Sequence, residues 1–502
     1  MMLKKKLAAV LLAVAVFSTS FTGVPITKVT ADDSTAPKGS LMIVGGMLRN
    51  DNKALHEKYI SLAGGADKIK VAIIGAASSK PVTNSKRFRD DLSMYGVPTS
   101  SDAEFLAGSG SFYLPALALK NDSKTLDVDE STWAANGNDE AIAAKIKECN
   151  AVWFVGGDQT YITKILKNAD GTNTKCLDAI WDIYKAGGVI GGTSAGAAIM
   201  SDTMNAGGSS LGALTKGTTS VYNSMSNQES GALYQEKGIG FFKNGIVDQH
   251  FDRKARLGRL IVAAYNDKSK TRYAFGIDEN TGMIATENSN IIEPIGEGGV
   301  TIVDVKDAVK DKRYANGGYD KVRISYIETH DKFDISKGEF TVDPDKDFQT
   351  IGDEYYTDKF DMYTGIFSPN PSMMQYLGHG LVDNTTTSVT SFCYDERGNG
   401  VKLTFSEDAL TKGYYQNYGD TYAAREERYI ALNVLFKSEP ITVSIKSNAF
   451  KYKVLKSDTI VKVAKKFGVS SSDLAKVNHI KISSKLKVGR TITIPSKTMK
   501  MN

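Results

Sequence analysis

The sequence predicts an α/β domain built on a parallel sheet, then a mostly β extension and a small βααβ unit. Short, nearly continuous apolar runs alternate with helical stretches from about residue 40 to about residue 305, and each run ends in small residues. Strands buried on both faces read this way, because helices cover both sides of a parallel sheet. From 335 to 445 the pattern changes to short alternating segments between loops rich in Asp, Asn, Tyr and Gly. Two strand-like runs bracket two helical stretches in the last 50 or so residues.

The strand candidates, in order, are Ser40–Gly46, Lys70–Ala77, Ala151–Gly157 and Gly188–Gly191. Asp139–Glu148 and Tyr161–Lys167 are helical candidates between them. In open parallel sheets the ligand crevice lies beyond the carboxyl ends of the strands. The Gly-Gly and Gly-Ala-Ala endings fall there. They lack the G-x-G-x-x-G spacing of a dinucleotide fold, so no such cofactor is expected. In the extension, Gly400–Phe405 and Ile441–Ile445 alternate as strands do. In the terminal unit, Tyr452-Lys453-Val454 begins a strand. Ser457-Asp458-Thr459-Ile460 caps a helix that runs to Phe467 and stops at Gly468. Ser471–Asn478 starts a second helix, and Ile492–Pro495 closes with a strand. A unit this small, without disulfides, must fold on a few apolar contacts.

Met1–Lys6 is basic, Leu7–Phe17 is apolar, and Val29-Thr30-Ala31 has small side chains where a signal peptidase reads. Residues 1–31 therefore read as a secretory signal peptide. The apolar run is shorter than the roughly 20 residues that a membrane span needs. The expected organisation is signal peptide 1–31, α/β domain 32–334, β extension or accessory domain 335–445 and terminal domain 446–502. The last segment holds fourteen Lys or Arg against two Asp, whereas the whole chain has a formal charge of only +5. A basic tail thus rides on an acidic body. On an exported protein its expected partner is an anionic envelope polymer, not nucleic acid, and no membrane attachment is expected after signal cleavage. Cys149, Cys176 and Cys393 are too few for a disulfide framework.

Gly192-Thr193-Ser194-Ala195-Gly196 fits G-x-S-x-G, the nucleophile elbow. Such a serine sits on a sharp strand-to-helix turn, and a side chain at either glycine would strike the adjoining strand or helix. The turn presents the Ser194 hydroxyl to the crevice. It also sets the Ala195 amide at the positive end of the next helix, where an oxyanion would form. Gly157 is the candidate for the second amide. A serine needs a base, and the base an orienting group. Of the five histidines, His250 ends an apolar run in Ile246-Val247-Asp248-Gln249-His250. His56, His330, His379 and His479 lie in less suggestive surroundings. Phe275-Gly276-Ile277-Asp278-Glu279 is another strand ending in acids. One of Asp278 and Glu279 can face His250, and strand alternation argues against both doing so. Asp248-x-His250 lacks an evident third ligand, so no metal is expected.

Four ordered motifs, Phe154-Val155-Gly156-Gly157-Asp158-Gln159, Gly192–Ala197, Asp248-Gln249-His250-Phe251 and Gly276-Ile277-Asp278-Glu279, together resemble the cyanophycinase family of serine peptidases, which also contains aspartyl dipeptidases. The resemblance implies a flavodoxin-like parallel sheet similar to the class I glutamine amidotransferases, with serine in place of cysteine. It implies Ser194 as nucleophile, His250 as base and Glu279 as the acid, with no cofactor. It further implies that Gln159, Asp248 and Gln249 hold an aspartyl group and that Arg256 and Arg259 form a basic wall. The implied substrate is cyanophycin, an aspartate polymer carrying arginine on its side-chain carboxylates, which the family cuts to β-Asp-Arg dipeptides. Relatives tend to carry arginine where this sequence has Lys254, which keeps the charge without the planar fork. That departure leaves another β-aspartyl or cell-wall peptide as the alternative substrate. A non-catalytic wall-binding protein is a third reading. The family resemblance also suggests a homodimer.

Tyr452-x-Val454, Asp458-Thr459-Ile460, Asn478 and Leu486-x-Val488-Gly489-x-x-Ile492-x-Ile494-Pro495 resemble a LysM domain, with Ser457 where that family usually has glycine. This implies binding to peptidoglycan or another N-acetylglucosamine polymer, hence a secreted, cell-wall-associated enzyme.

Overall fold

The computed structural model describes residues 38–500, apart from 123–124, 126–127, 223–228, 287, 347, 358–372 and 419–425. The predicted signal peptide, 1–31, lies outside the described residues. Five parallel strands form the heart of the first sheet: β1 (Ser40–Val44), β2 (Val71–Ile74), β3 (Phe112–Tyr113), β4 (Ala151–Phe154) and β5 (Val189–Thr193). They lie in the order β1-β5-β4-β2-β3. Residues on the two faces of one strand feed different cores. Phe154 and Ile190 pack into one, Trp153 and Val189 into the other. Helices cover these faces, among them α1 (Lys53–Leu62) and α2 (Pro81–Met94). The predicted helices are present as Glu140–Lys147, capped by Asp139, and Gln159–Leu166, which starts two residues earlier than expected because Asp158 caps it.

The sheet is not purely parallel. Beyond β1 it continues antiparallel through Thr281–Thr286, Ile291–Gly296 and Lys332–Asp334. Nor do all the apolar runs join it. β6 (Gly245–Asp248) and β7 (Tyr273–Ile277) pair in parallel within a second sheet. That sheet continues antiparallel through Val300–Asp304, Val322–Ile327 and the long strand Glu426–Thr442. The molecule is a mixed α/β fold with several sheets. Ile441–Ile445 is not one strand: Glu426–Thr442 ends within it and Ser444–Ser447 begins a separate pairing.

The terminal unit is βααβ. Phe450–Lys453 pairs with Thr491–Ile494 around the helices Ile460–Lys466 and Ser471–Val477. Val463, Leu474, Ile492 and Ile494 are buried between them. Asn478 mimics a strand partner, accepting the Thr493 N–H at 2.7 Å and donating to its carbonyl at 2.6 Å. Ser457 sits at φ 74°, a conformation that glycine adopts more cheaply.

Candidate active site

The site forms where the carboxyl end of β5 meets those of β6 and β7. β5 ends at Thr193, and Ser194 turns the chain at φ 55° into the short helix Ala195–Ala198. This conformation is costly for a residue with a Cβ and persists because the surroundings hold it. A Cβ on Gly192 would come 2.6 Å from the Gly196 carbonyl oxygen, and one on Gly196 would come 2.4 Å from that of Phe154. Both flanking glycines are therefore required by close backbone approach.

His250 follows β6, also at positive φ, 48°. Its Nε2 lies 2.8 Å from Ser194 Oγ, and its Nδ1 lies 2.5 Å from Glu279 Oε1. Glu279 follows β7. Asp278, its neighbour, faces the other way and accepts from the Gly299 N–H and the Tyr326 hydroxyl. Burial drives the Asp278 carboxyl well above the usual range. Burial also pushes His250 below its ordinary range, against the Glu279 hydrogen bond, which raises it. That hydrogen bond in turn lowers Glu279. The result is a neutral imidazole beside an ionised carboxylate, able to accept a proton from the serine.

The turn after β1 ties these parts together, which sequence reasoning did not anticipate. Ser194 N–H donates to the Val44 carbonyl, His250 N–H to that of Gly45, and Asn280 N–H to that of Gly46. Gly46 lies at φ 113°, and a Cβ there would reach 2.3 Å from His250 Cε1. Asp252 also contributes, accepting the Glu279 N–H at 3.1 Å.

Gly157, Ser194 and His250 line one cavity of about 390 Å³. Among the described residues, neither the Ala195 nor the Gly157 N–H donates to a protein acceptor.

The other predicted residues assemble beside His250 as a polar network, buried at Gln159, Asp248, Gln249, Arg256 and Arg259 and exposed at Lys254. Arg259 grips Asp248 through Nε and Nη2. Asp248 also accepts from Asn205 Nδ2 at 3.1 Å, and Gln159 Nε2 donates to the Asn205 carbonyl at 3.1 Å. Arg256 donates to the Gln249 carbonyl at 2.6 Å and to Glu229 at 2.7 Å. Lys254 Nζ reaches the same Glu229 oxygen at 2.9 Å. The Gln249 Oε1 is buried without a partner. Asp248, Gln159 and Arg259 thus spend their polar groups on protein partners. Glu229, 25 residues before Lys254, carried no sequence signal. Burial raises its carboxyl, but Arg256, Arg259 and Lys254 together bring it down to about 2. Among the described residues no group of His, Cys, Asp and Glu could hold a metal ion.

Residues 452–495 match the LysM domain family. Over 269 residues the chain is 30% identical to the cyanophycinase of Geminocystis herdmanii, spanning 53% of this chain and 81% of that protein. Identity to the cyanophycinase of Thermosynechococcus vestitus is 26% over 287 residues, 56% of this chain and 73% of that one. A solved structure, a peptidase from an acI-B1 Actinobacterium, is 19% identical, with a TM-score of 0.35 over 53% of this chain and 91% of that one.

Proposed function

The chain belongs to the cyanophycinase family, and on that premise we propose that it is a serine-type exopeptidase that hydrolyses cyanophycin, multi-L-arginyl-poly-L-aspartate, to β-Asp-Arg dipeptides. The observation that carries this is the hydrogen-bond chain Ser194–His250–Glu279. His250 Nε2 takes the hydroxyl proton as Ser194 Oγ attacks the peptide carbonyl. The Ala195 and Gly157 amides receive the oxyanion. The C–N bond then breaks, and His250 gives its proton to the leaving amine. Water, deprotonated by His250, attacks the acyl ester and frees Ser194. Glu279 holds the ring and stabilises the imidazolium throughout.

In this reading Lys254 and Arg256 meet a substrate carboxylate, while Arg259, Asp248, Gln249 and Gln159 brace them from behind. The parallel strands support a flavodoxin-like, glutamine-amidotransferase-like interpretation of the catalytic domain, 32–334. Segment 335–445 is an accessory β region. Residues 1–31 export the enzyme, and the LysM unit within 446–502 holds it to peptidoglycan or another N-acetylglucosamine polymer. The active form is a homodimer. Lys254 and the LysM match favour one second reading, a peptidase for other β-aspartyl or cell-wall peptides.

The test uses the purified protein on insoluble cyanophycin, with Ser194→Ala beside it and the supernatant read by mass spectrometry. Release of β-Asp-Arg by the first protein alone is expected. No release from either folded protein would remove cyanophycin as substrate and turn attention to wall peptides.

A further inference from the structure

The cavity that holds Ser194 and His250 is lined by α2, where Arg87 and Asp91 stand one turn apart, and not by Lys254, Arg256 or Arg259. Asp91 is 8% exposed. Among the described residues no hydrogen bond or ion pair reaches its carboxylate. Other buried acids of this protein differ. Asp248 is held by Arg259, Asp331 by Lys346, and Asp278 by Tyr326 and Gly299. Arg89, on the same helix, pairs with Asp90 and Asp102, and Arg87, one turn before Asp91, makes no ion pair with it. A largely buried carboxylate without a hydrogen-bonded or ion-paired partner is costly, so natural proteins seldom keep one without a use. Burial raises the Asp91 carboxyl, and His56 and Arg87 offset this only through their fields. Next to it, Phe88 and Trp153 stack at 4.0 Å and wall the same cavity. An apolar wall ending in an unpaired acid suits a cation on an aliphatic stem.

We propose that Asp91 is a specificity-determining residue that takes the guanidinium of a substrate arginine, with Arg87 facing a carboxylate of the same residue. The proposal rests on the reading of the site as a β-aspartyl peptidase that meets arginine-bearing chains. A planar guanidinium offers two parallel donors to one carboxylate, which an uncharged ureido group cannot match in strength. Asp91 thereby selects the arginine side of the scissile unit, and Lys254 with Arg256 the aspartyl side.

Binding to the Ser194→Ala protein by calorimetry tests this, using β-Asp-Arg and its neutral analogue β-Asp-citrulline. A hydrogen bond to a charged group should favour the arginine ligand by more than about tenfold. Adding Asp91→Asn should collapse that ratio to within about threefold of unity, and Asp91→Glu should restore part of it. A ratio near unity in the parent, or one that survives Asp91→Asn, overturns the proposal. Circular dichroism of each variant checks that it is folded, and Asp91→Glu serves as the second probe if Asp91→Asn is not. Cyanophycin hydrolysis is scored separately. Hydrolysis without an Asp91-dependent preference leaves the peptidase reading standing and removes this one. An Asp91-dependent preference without hydrolysis does the reverse.

Discussion

Arg259 holds both carboxylate oxygens of Asp248, Nη2 to Oδ1 at 2.6 Å and Nε to Oδ2 at 2.7 Å, with both side chains buried. Arg256 lies against the same carboxylate at 3.4 Å and pairs more closely with Glu229, so Asp248 is the only carboxylate that Arg259 pairs with among the described residues. The pair fixes the end of β6 against the helix Leu257–Asp267, and His250 stands two residues beyond Asp248.

Asp248→Asn keeps the shape and removes the charge. It should destabilise the protein by about 3–5 kcal/mol, because the buried Arg259 guanidinium then has no carboxylate partner, while Arg256 keeps Glu229. Urea unfolding measures this. Arg259→Lys should also lose stability, since an ammonium cannot bridge two carboxylate oxygens in the plane. A loss below about 1 kcal/mol in both would mean that the network is wet and that its geometry contributes little.

Glu279→Gln tests the orienting acid. The amide cannot stabilise the imidazolium, so kcat should fall by about 10²–10⁴-fold, with KM changed little. The pH profile carries a second sign. Glu279 raises the His250 pKa against burial, so removing its charge lets that pKa fall further. The acid limb of kcat/KM should therefore move to lower pH while the plateau drops. Asp278→Asn should not reproduce this, because Asp278 faces Tyr326 and Gly299. An unmoved acid limb in Glu279→Gln would assign that limb to another group.

Gly46→Ala should damage catalysis out of proportion to its size. The new methyl would lie 2.3 Å from His250 Cε1, and the φ of 113° is itself strained for alanine. Moving the ring by about 1 Å suffices for a roughly 100-fold loss. Gly171→Ala is the control. It shares a positive φ, 84°, but its Cβ would meet nothing within 4 Å, so only stability should change. Equal activity losses in both would mean that backbone strain, not the ring contact, is responsible.

The elbow was legible because its chemistry is local: only small residues pass a chain through Ser194 at positive φ, and they stand next to it in sequence. His250 and the pair Asp278 and Glu279 were legible as polar residues ending apolar runs, and only the family resemblance chose Glu279 between the two acids. Which sheet each run joins was not, since buried parallel strands look alike whatever their neighbours, and β6 and β7 proved to belong to a second sheet. The pairing of Asp248 with Arg259 was hidden for a related reason. Acids and bases near a histidine read as ligand groups until their burial is known. Asp91 was invisible because an acid on a helix ordinarily reads as a solvated face. The turn at Gly45-Gly46 was seen as a strand ending, but its grip on His250 and Asn280 is a long-range contact with no sequence period.

Glu229 supplies the last prediction. Its folded pKa of about 2 lies below the ordinary value of 4.5. A depressed carboxylate contributes stability that is fully present above its unfolded pKa and is lost as pH falls through the folded one. The contacts to Lys254 and Arg256 should therefore weaken between about pH 4.5 and about pH 2. Glu229→Gln should remove that component, giving a shallower decline of stability across the same window in chemical denaturation. At neutral pH the variant leaves Lys254 and Arg256 without the Glu229 carboxylate. If these two groups meet a substrate carboxylate, Glu229→Gln should lower KM for a β-aspartyl ligand, because the ligand no longer displaces Glu229. A raised KM with unchanged kcat would show instead that Glu229 holds the two cations in position for the substrate.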